Sequence, residues 1–133
     1  MDSIPHNLET IRERIRSVAA RAGRDASDIR LVAVSKTHPC EAILEAQAAG
    51  QLVFGENKVQ EALTKIPRLP PTLEWHFIGH LQSNKIRKAL PLFHLFHGVD
   101  NSVLATQINR VAEECALSPR ILLEVNVSGE ASK

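Results

Sequence analysis

Apolar residues recur at Ile4, Leu8, Ile11, Ile15, Val18, Ala19 and Ala22, in the steps of three and four that mark one helical face. This spacing predicts a helix over 6–22, with Arg12, Glu13, Arg14 and Arg16 toward solvent and Gly23 as its stop. The period then changes. Leu31-Val32-Ala33-Val34-Ser35-Lys36 is an apolar run of strand length without helical period, as expected of a strand covered on both faces in a parallel sheet. Further along, helices are expected over 41–49, 57–66, 83–90 and 101–117, and strands over 52–55, 74–79, 92–99 and 120–127, with a proline-rich loop over 67–71. The helix over 101–117 carries Leu104, Ile108, Val111, Ala112 and Cys115 on its apolar face.

Strand and helix alternate throughout, which specifies parallel strands joined by crossovers and hence an α/β fold. An open doubly wound sheet that binds a nucleotide is disfavoured, because Ser35-Lys36-Thr37-His38-Pro39 follows the first strand where a G-x-G-x-x-G turn would stand. A (β/α)8 barrel is favoured, since polar residues collect at the carboxyl ends of successive strands, where barrel active sites lie. A complete barrel usually needs about 200 residues or more. With 133 residues and five strands, the chain reads as an incomplete barrel, a single partial domain over 1–133.

Composition narrows the function classes. Hydrophobic residues make up 44% and charged residues 23% of the chain, and 16 Lys plus Arg face 15 Asp plus Glu. Neither sign dominates, which argues against nucleic acid or an anionic membrane as partner. The apolar stretches are strand-sized, and the N-terminus lacks the basic and apolar regions of a secretory signal, so a cytoplasmic protein is expected. Cys40 and Cys115 show no C-x-x-C spacing and read as small buried or half-buried thiols.

Lys36 is the strongest chemical signal. It ends an apolar strand on the same face as Val32 and Val34, where a barrel keeps its interior. A desolvated ammonium there has its pKa lowered toward the range in which a neutral amine attacks a carbonyl, as Schiff-base chemistry needs. A lysine that snorkels to solvent or pairs with Glu56 explains the same letters. Glu56 and Asn57 follow the second strand at the same rim; Gly55 either lets a ligand approach or belongs to an ordinary turn with Asn57 near a helix N-cap. In the third strand His76, Ile78 and His80 share one face and Trp75, Phe77 and Gly79 the other. With the aromatics against the helices, the histidines face the interior as polar lining, with His80 at the strand end near Lys36; no third ligand for a metal is fixed by spacing. Glu124, Asn126 and Ser128 share a face of the fifth strand, and Glu124 is a candidate ion-pair partner for Lys36 across the interior. Lys85, Arg87 and Lys88 read as a solvated face, with an anion or RNA contact as the alternative.

Four separated stretches then carry a family resemblance: Leu31-Val32-Ala33-Val34-Ser35-Lys36-Thr37; Phe54-Gly55-Glu56-Asn57 with Val59-Gln60-Glu61; Trp75 through Lys85; and Val125-Asn126-Val127-Ser128 through Lys133. In that order they resemble the pyridoxal phosphate homeostasis proteins, also called YggS or PROSC proteins, over nearly the whole chain. The resemblance implies a fold-type III barrel like the N-terminal domain of alanine racemase, binding pyridoxal 5′-phosphate as a Schiff base on the lysine of a V-S-K-T motif, here Lys36. Asn57, His80 and Asn126 are the other cofactor-binding candidates. It also implies a cytoplasmic carrier or buffer of the cofactor without dedicated catalysis, consistent with a nucleophilic lysine that has no second acid–base residue at a recognisable spacing. Full-length members are expected to be monomeric and to continue into later strands, whose G-M-S and R-x-G-T motifs hold the phosphate and the pyridine nitrogen. Those motifs are not among the 133 residues, so weaker cofactor binding, unpaired sheet edges and an oligomer or a completing partner chain are expected. The alternatives are a Schiff-base racemase or lyase on the same barrel, and a fragment that no longer binds the cofactor.

Overall fold

The computed structural model describes residues 2–131; Met1 of the N-terminal reading and Ser132 and Lys133 of the last motif lie outside the described residues. Five strands, β1 (Ala33–Val34), β2 (Val53–Glu56), β3 (Glu74–Phe77), β4 (Leu95–Val99) and β5 (Arg120–Leu123), form one sheet. The helices are α1 (Ile4–Arg21), α2 (Cys40–Ala48), α3 (Val59–Lys65), α4 (Ile86–Ala89) and α5 (Ser102–Glu114). Every pairing is parallel, and the strands lie in the order β1-β2-β3-β4-β5. Sequential order without a reversal gives no topological switch point, so the doubly wound alternative falls and the sheet is an incomplete barrel.

Local chemistry sets the helix ends. Ser3 Oγ accepts the His6 amide at the start of α1, where Pro5 also suits the first turn, and the Asn101 side chain accepts the Leu104 amide at 2.8 Å to open α5. Gly50 after α2 sits at φ +89, a conformation that a side chain would strain. Beneath the helices Phe54, Trp75, Phe77, Phe93 and Phe96 pack with Ile43, Leu73, Ile86 and Ile108 into one core. The ring centroids of Phe77 and Phe93 are 5.1 Å apart, edge to face.

Several boundaries differ from expectation. The first strand is two residues long, paired with β2 only at Ala33 and Val34, and at this sheet edge Val34 is half exposed instead of covered. The third helix begins at Val59 with Lys58 at its N-cap, so Asn57 is not the cap. Asn57 instead packs closely against Gly79, where a Cβ would lie 2.6 Å from the Asn57 carbonyl, so that only glycine fits there. Residues 83–90 split into a 3-10 turn, Ser83–Lys85, followed by α4. The fifth strand ends at Leu123 because its partner β4 ends at Val99 after a register shift; one further bond, Glu124 N–H to Val99 O at 2.9 Å, extends the pairing.

Candidate functional site

The carboxyl ends of the strands form a rim, and the turn Ser35-Lys36-Thr37 opens it at β1. Its backbone is tied on both sides. Ser35 N–H donates to Gly55 O at 2.9 Å and His38 N–H closes the turn on Ser35 O at 3.0 Å. Thr37 N–H donates to Glu61 Oε2 at 2.7 Å, and Thr37 adopts φ +67, a region that β-branched residues rarely enter. Lys36 itself is exposed, so the desolvation expected of it does not occur: β1 is an edge strand and its inner face is open.

Behind the turn lies a buried charged cluster. Glu56, 0% exposed, accepts the Ser35 hydroxyl on Oε2 at 2.8 Å, and its Oε1 pairs with Lys65 Nζ at 2.8 Å, outside hydrogen-bonding geometry. Lys65 Nζ donates to Ser35 O at 2.8 Å and to Glu61 Oε2 at 2.9 Å. Burial would lower the Lys65 pKa, but the ion pairs with Glu56 and Glu61 outweigh it and hold the ammonium above its ordinary value. Glu61 is held below the usual carboxylate value, chiefly by its hydrogen bond from Lys65. Glu56 therefore pairs with Lys65 and not with Lys36.

Sequence reasoning passed over Lys65, yet the signal was present. Val59, Ala62 and Lys65 fall at steps of three on the buried stripe of α3, and Glu61 precedes Lys65 by four. A cation on an apolar stripe requires a buried anion, and Glu56 supplies it.

Asn57 and His80 come together. With Lys58, Gln60, Gln82 and Lys85 they line a pocket of about 300 Å³ at the ends of β2 and β3. The β1–β2 register, Val34 opposite Gly55, puts Lys36 level with Asn57 on the neighbouring strand end. Asn126 is not part of this group. It follows β5, at the edge of the sheet opposite β1, about 19 Å along the sheet from the Lys36 strand and about 10–14 Å from the β3 and β2 ends at roughly 4.8 Å per strand. Its side chain is taken up locally, donating to Glu130 O at 2.7 Å and accepting from Glu130 N–H at 3.2 Å. Glu124 is exposed beside it, and the ion pairs of the described residues do not include Lys36 with Glu124; the two stand at opposite sheet edges.

The inner face carries a polar ladder. With Trp75 and Phe77 buried against the helices, His76 turns inward and meets His97 of β4, Nδ1 to Nε2 at 3.0 Å, while its Nε2 lies 2.9 Å from Glu74 Oε2. Arg30 pairs with that same Glu74. Burial would raise the Glu74 carboxyl, but the bond from His76 and the charge of Arg30 outweigh it and hold it low. Burial, and then the charge of His76, pushes His97 below its ordinary value. Among the described residues no group of three or more His, Cys, Asp or Glu could hold a metal ion. Of the three basic residues read as a solvated face, Arg87 pairs with Glu114 and approaches the half-buried Cys115. No described helix is long and apolar enough to cross a membrane.

Comparison with known proteins adds a second line of observation. A family model described as the alanine racemase N-terminal domain matches residues 6–130. Over its full length the chain is 46% identical to proteins named pyridoxal phosphate homeostasis protein from Vibrio cholerae and from Escherichia coli K12, and it spans 58% of each. PipY of Synechococcus elongatus, solved with pyridoxal phosphate bound, superposes with a TM-score of 0.76 at 44% identity, covering 88% of this chain and 56% of that one. A protein from Bifidobacterium adolescentis superposes with a TM-score of 0.87 at 36% identity, covering 98% and 57%.

Proposed function

The chain belongs to the alanine racemase N-terminal domain family, and from that premise we propose that it binds pyridoxal 5′-phosphate through Lys36 and serves intracellular homeostasis of that cofactor. One observation carries the reading: Lys36 is a solvent-accessible primary amine on a turn tied at Ser35 and Thr37, in a chain similar throughout to proteins named for that role. Pyridoxal phosphate supplies an aldehyde, which condenses with an uncharged primary amine with loss of water. The residues at the rim fit such a group. The amine is reachable, and the adjoining pocket offers the Asn57 amide, the His80 ring and the Lys58 and Lys85 ammonium groups to a polar, anionic ligand. Asn57 and His80 would orient the ligand beside Lys36, and Asn126 would act from the opposite edge once its turn with Glu130 opened.

Within this reading residues 1–133 work as one partial barrel domain, in the cytoplasm, with the small-molecule cofactor and neither nucleic acid nor membrane as partner. The protein carries or buffers the cofactor and catalyses no dedicated reaction. In support, His76 has both ring nitrogens engaged, by Glu74 and His97, so it is not free to shuttle a proton for an amino-acid substrate. A second copy or a companion chain completes the sheet, supported by the apolar and exposed β5.

Mixing the purified chain with pyridoxal phosphate, reducing with borohydride and locating the adduct by peptide mass tests the reading. Labelling concentrated on Lys36 and lost in Lys36→Ala is the expected result. Labelling spread evenly over surface lysines would sink it, and amino-acid turnover abolished by Lys36→Ala would replace the carrier with an enzyme.

A further inference from the structure

We propose that Glu61 and Lys65, braced by Glu56, are positioning residues for Lys36: they hold the Ser35-Lys36-Thr37 backbone so that the Lys36 amine stands free at the rim. This rests on the reading of Lys36 as the cofactor lysine. A lysine only 7% exposed is unusual, and a buried ion pair is weak evidence of a contribution to stability, because desolvation offsets much of the attraction. What this cluster does geometrically is specific. Lys65 Nζ holds the carbonyl that precedes Lys36, at Ser35, and the carboxylate that it shares, Glu61 Oε2, holds the amide that follows Lys36, at Thr37. Glu56 fixes the same turn a third time through the Ser35 hydroxyl.

The turn needs such support. Strand β1 has two residues in register with β2, and Thr37 stands at a positive φ that only surrounding bonds sustain. Among the described residues the Lys36 side chain takes part in no hydrogen bond or ion pair, so the clamp fixes its Cα while leaving its side chain free. Lys65 is not the reacting amine itself: it is buried, donates to Ser35 O and Glu61, and is paired with Glu56.

Lys65→Met leaves Glu56 buried without a cation and can unfold the chain, so the decisive variant is Glu61→Ala, whose side chain is a quarter exposed. Two readouts are needed. The first is the rate at which pyridoxal phosphate and borohydride label Lys36, divided by the rate at the exposed Lys88 in the same digest. The second is hydrogen exchange at the Thr37 amide, which needs no cofactor. We expect Glu61→Ala to lower the Lys36 ratio about tenfold or more, to release Thr37 protection and to leave the far-ultraviolet spectrum unchanged. Glu61→Gln, whose amide oxygen still accepts from Thr37, should recover most of the ratio. An unchanged ratio in folded Glu61→Ala, a failure of Glu61→Gln to recover it, or an equal change at every lysine overturns the proposal. If the parent chain shows no preference for Lys36, the cofactor reading has failed, and a protected Thr37 amide in that sample makes the clamp purely structural, which ends the proposal on separate grounds.

Discussion

Glu56 and Lys65 illustrate how a single residue pair is judged by environment. Glu56 is wholly buried, with one oxygen on the Ser35 hydroxyl and the other beside Lys65. Removing the cation alone strands the charge, so Lys65→Met should cost about 3–5 kcal/mol, read as a fall in the urea midpoint. The double variant Glu56→Gln with Lys65→Met should cost much less; equal losses would mean that the pair is not coupled. On the inner face the signs of the shifts predict pH behaviour. His97 has a folded-state pKa below its ordinary 6.5, so its contribution is present above that value and is lost as pH falls toward the folded pKa. Glu61 and Glu74, held below 4.5, lose theirs in a second and lower window. Stability should therefore decline in two steps on acidification, and His97→Asn should remove the upper step from a series of urea melts between pH 7.5 and 5.5. Lys65 works in the opposite sense: its contribution is fully present below 10.5 and is lost as pH rises from there through its folded value.

Secondary-structure elements follow from period and punctuation. The three-and-four spacing of α1 and α5 and the apolar runs of β2, β3 and β4 are visible in the letters, and the structure contains each of these elements. Element ends are less visible, because tertiary contacts decide them. The loss of four predicted residues from β5 reflects where β4 stops, and α3 starts two residues later than its letters suggest, with Lys58 at its N-cap. At α5 the start is local and thus testable by itself. Asn101→Ala removes the acceptor for the Leu104 amide and should lower stability by about 1 kcal/mol, whereas Asn101→Ser should restore most of it in the same thermal melt.

Among the described residues the sheet has two free edges, β1 and β5, and β5 is the more apolar. Ile121, Leu122, Leu123, Val125 and Val127 are all exposed, Leu123 at 71% and Val127 at 89%. A run of this kind at a sheet edge invites pairing with another chain. Sedimentation velocity should show association that grows with protein concentration, and Leu123→Lys should shift the distribution toward the monomer. A chain that stays monomeric at every concentration would count against β5 as an association surface.

The sequence by itself determined the alternation of strand and helix, the parallel sheet, the burial of Trp75 and Phe77 against the helices and the candidacy of Lys36, because each rests on local period or on a motif written in contiguous residues. Only the tertiary structure decided that Glu56 pairs with Lys65, that Glu61 reaches the Thr37 amide 24 residues earlier, that His76 meets His97, and that Asn126 lies apart from Asn57 and His80. Those partners sit on different strands and helices. Which of several compatible charges or rings comes within hydrogen-bonding distance is set by sheet register and helix placement, and a one-dimensional pattern does not encode that distance.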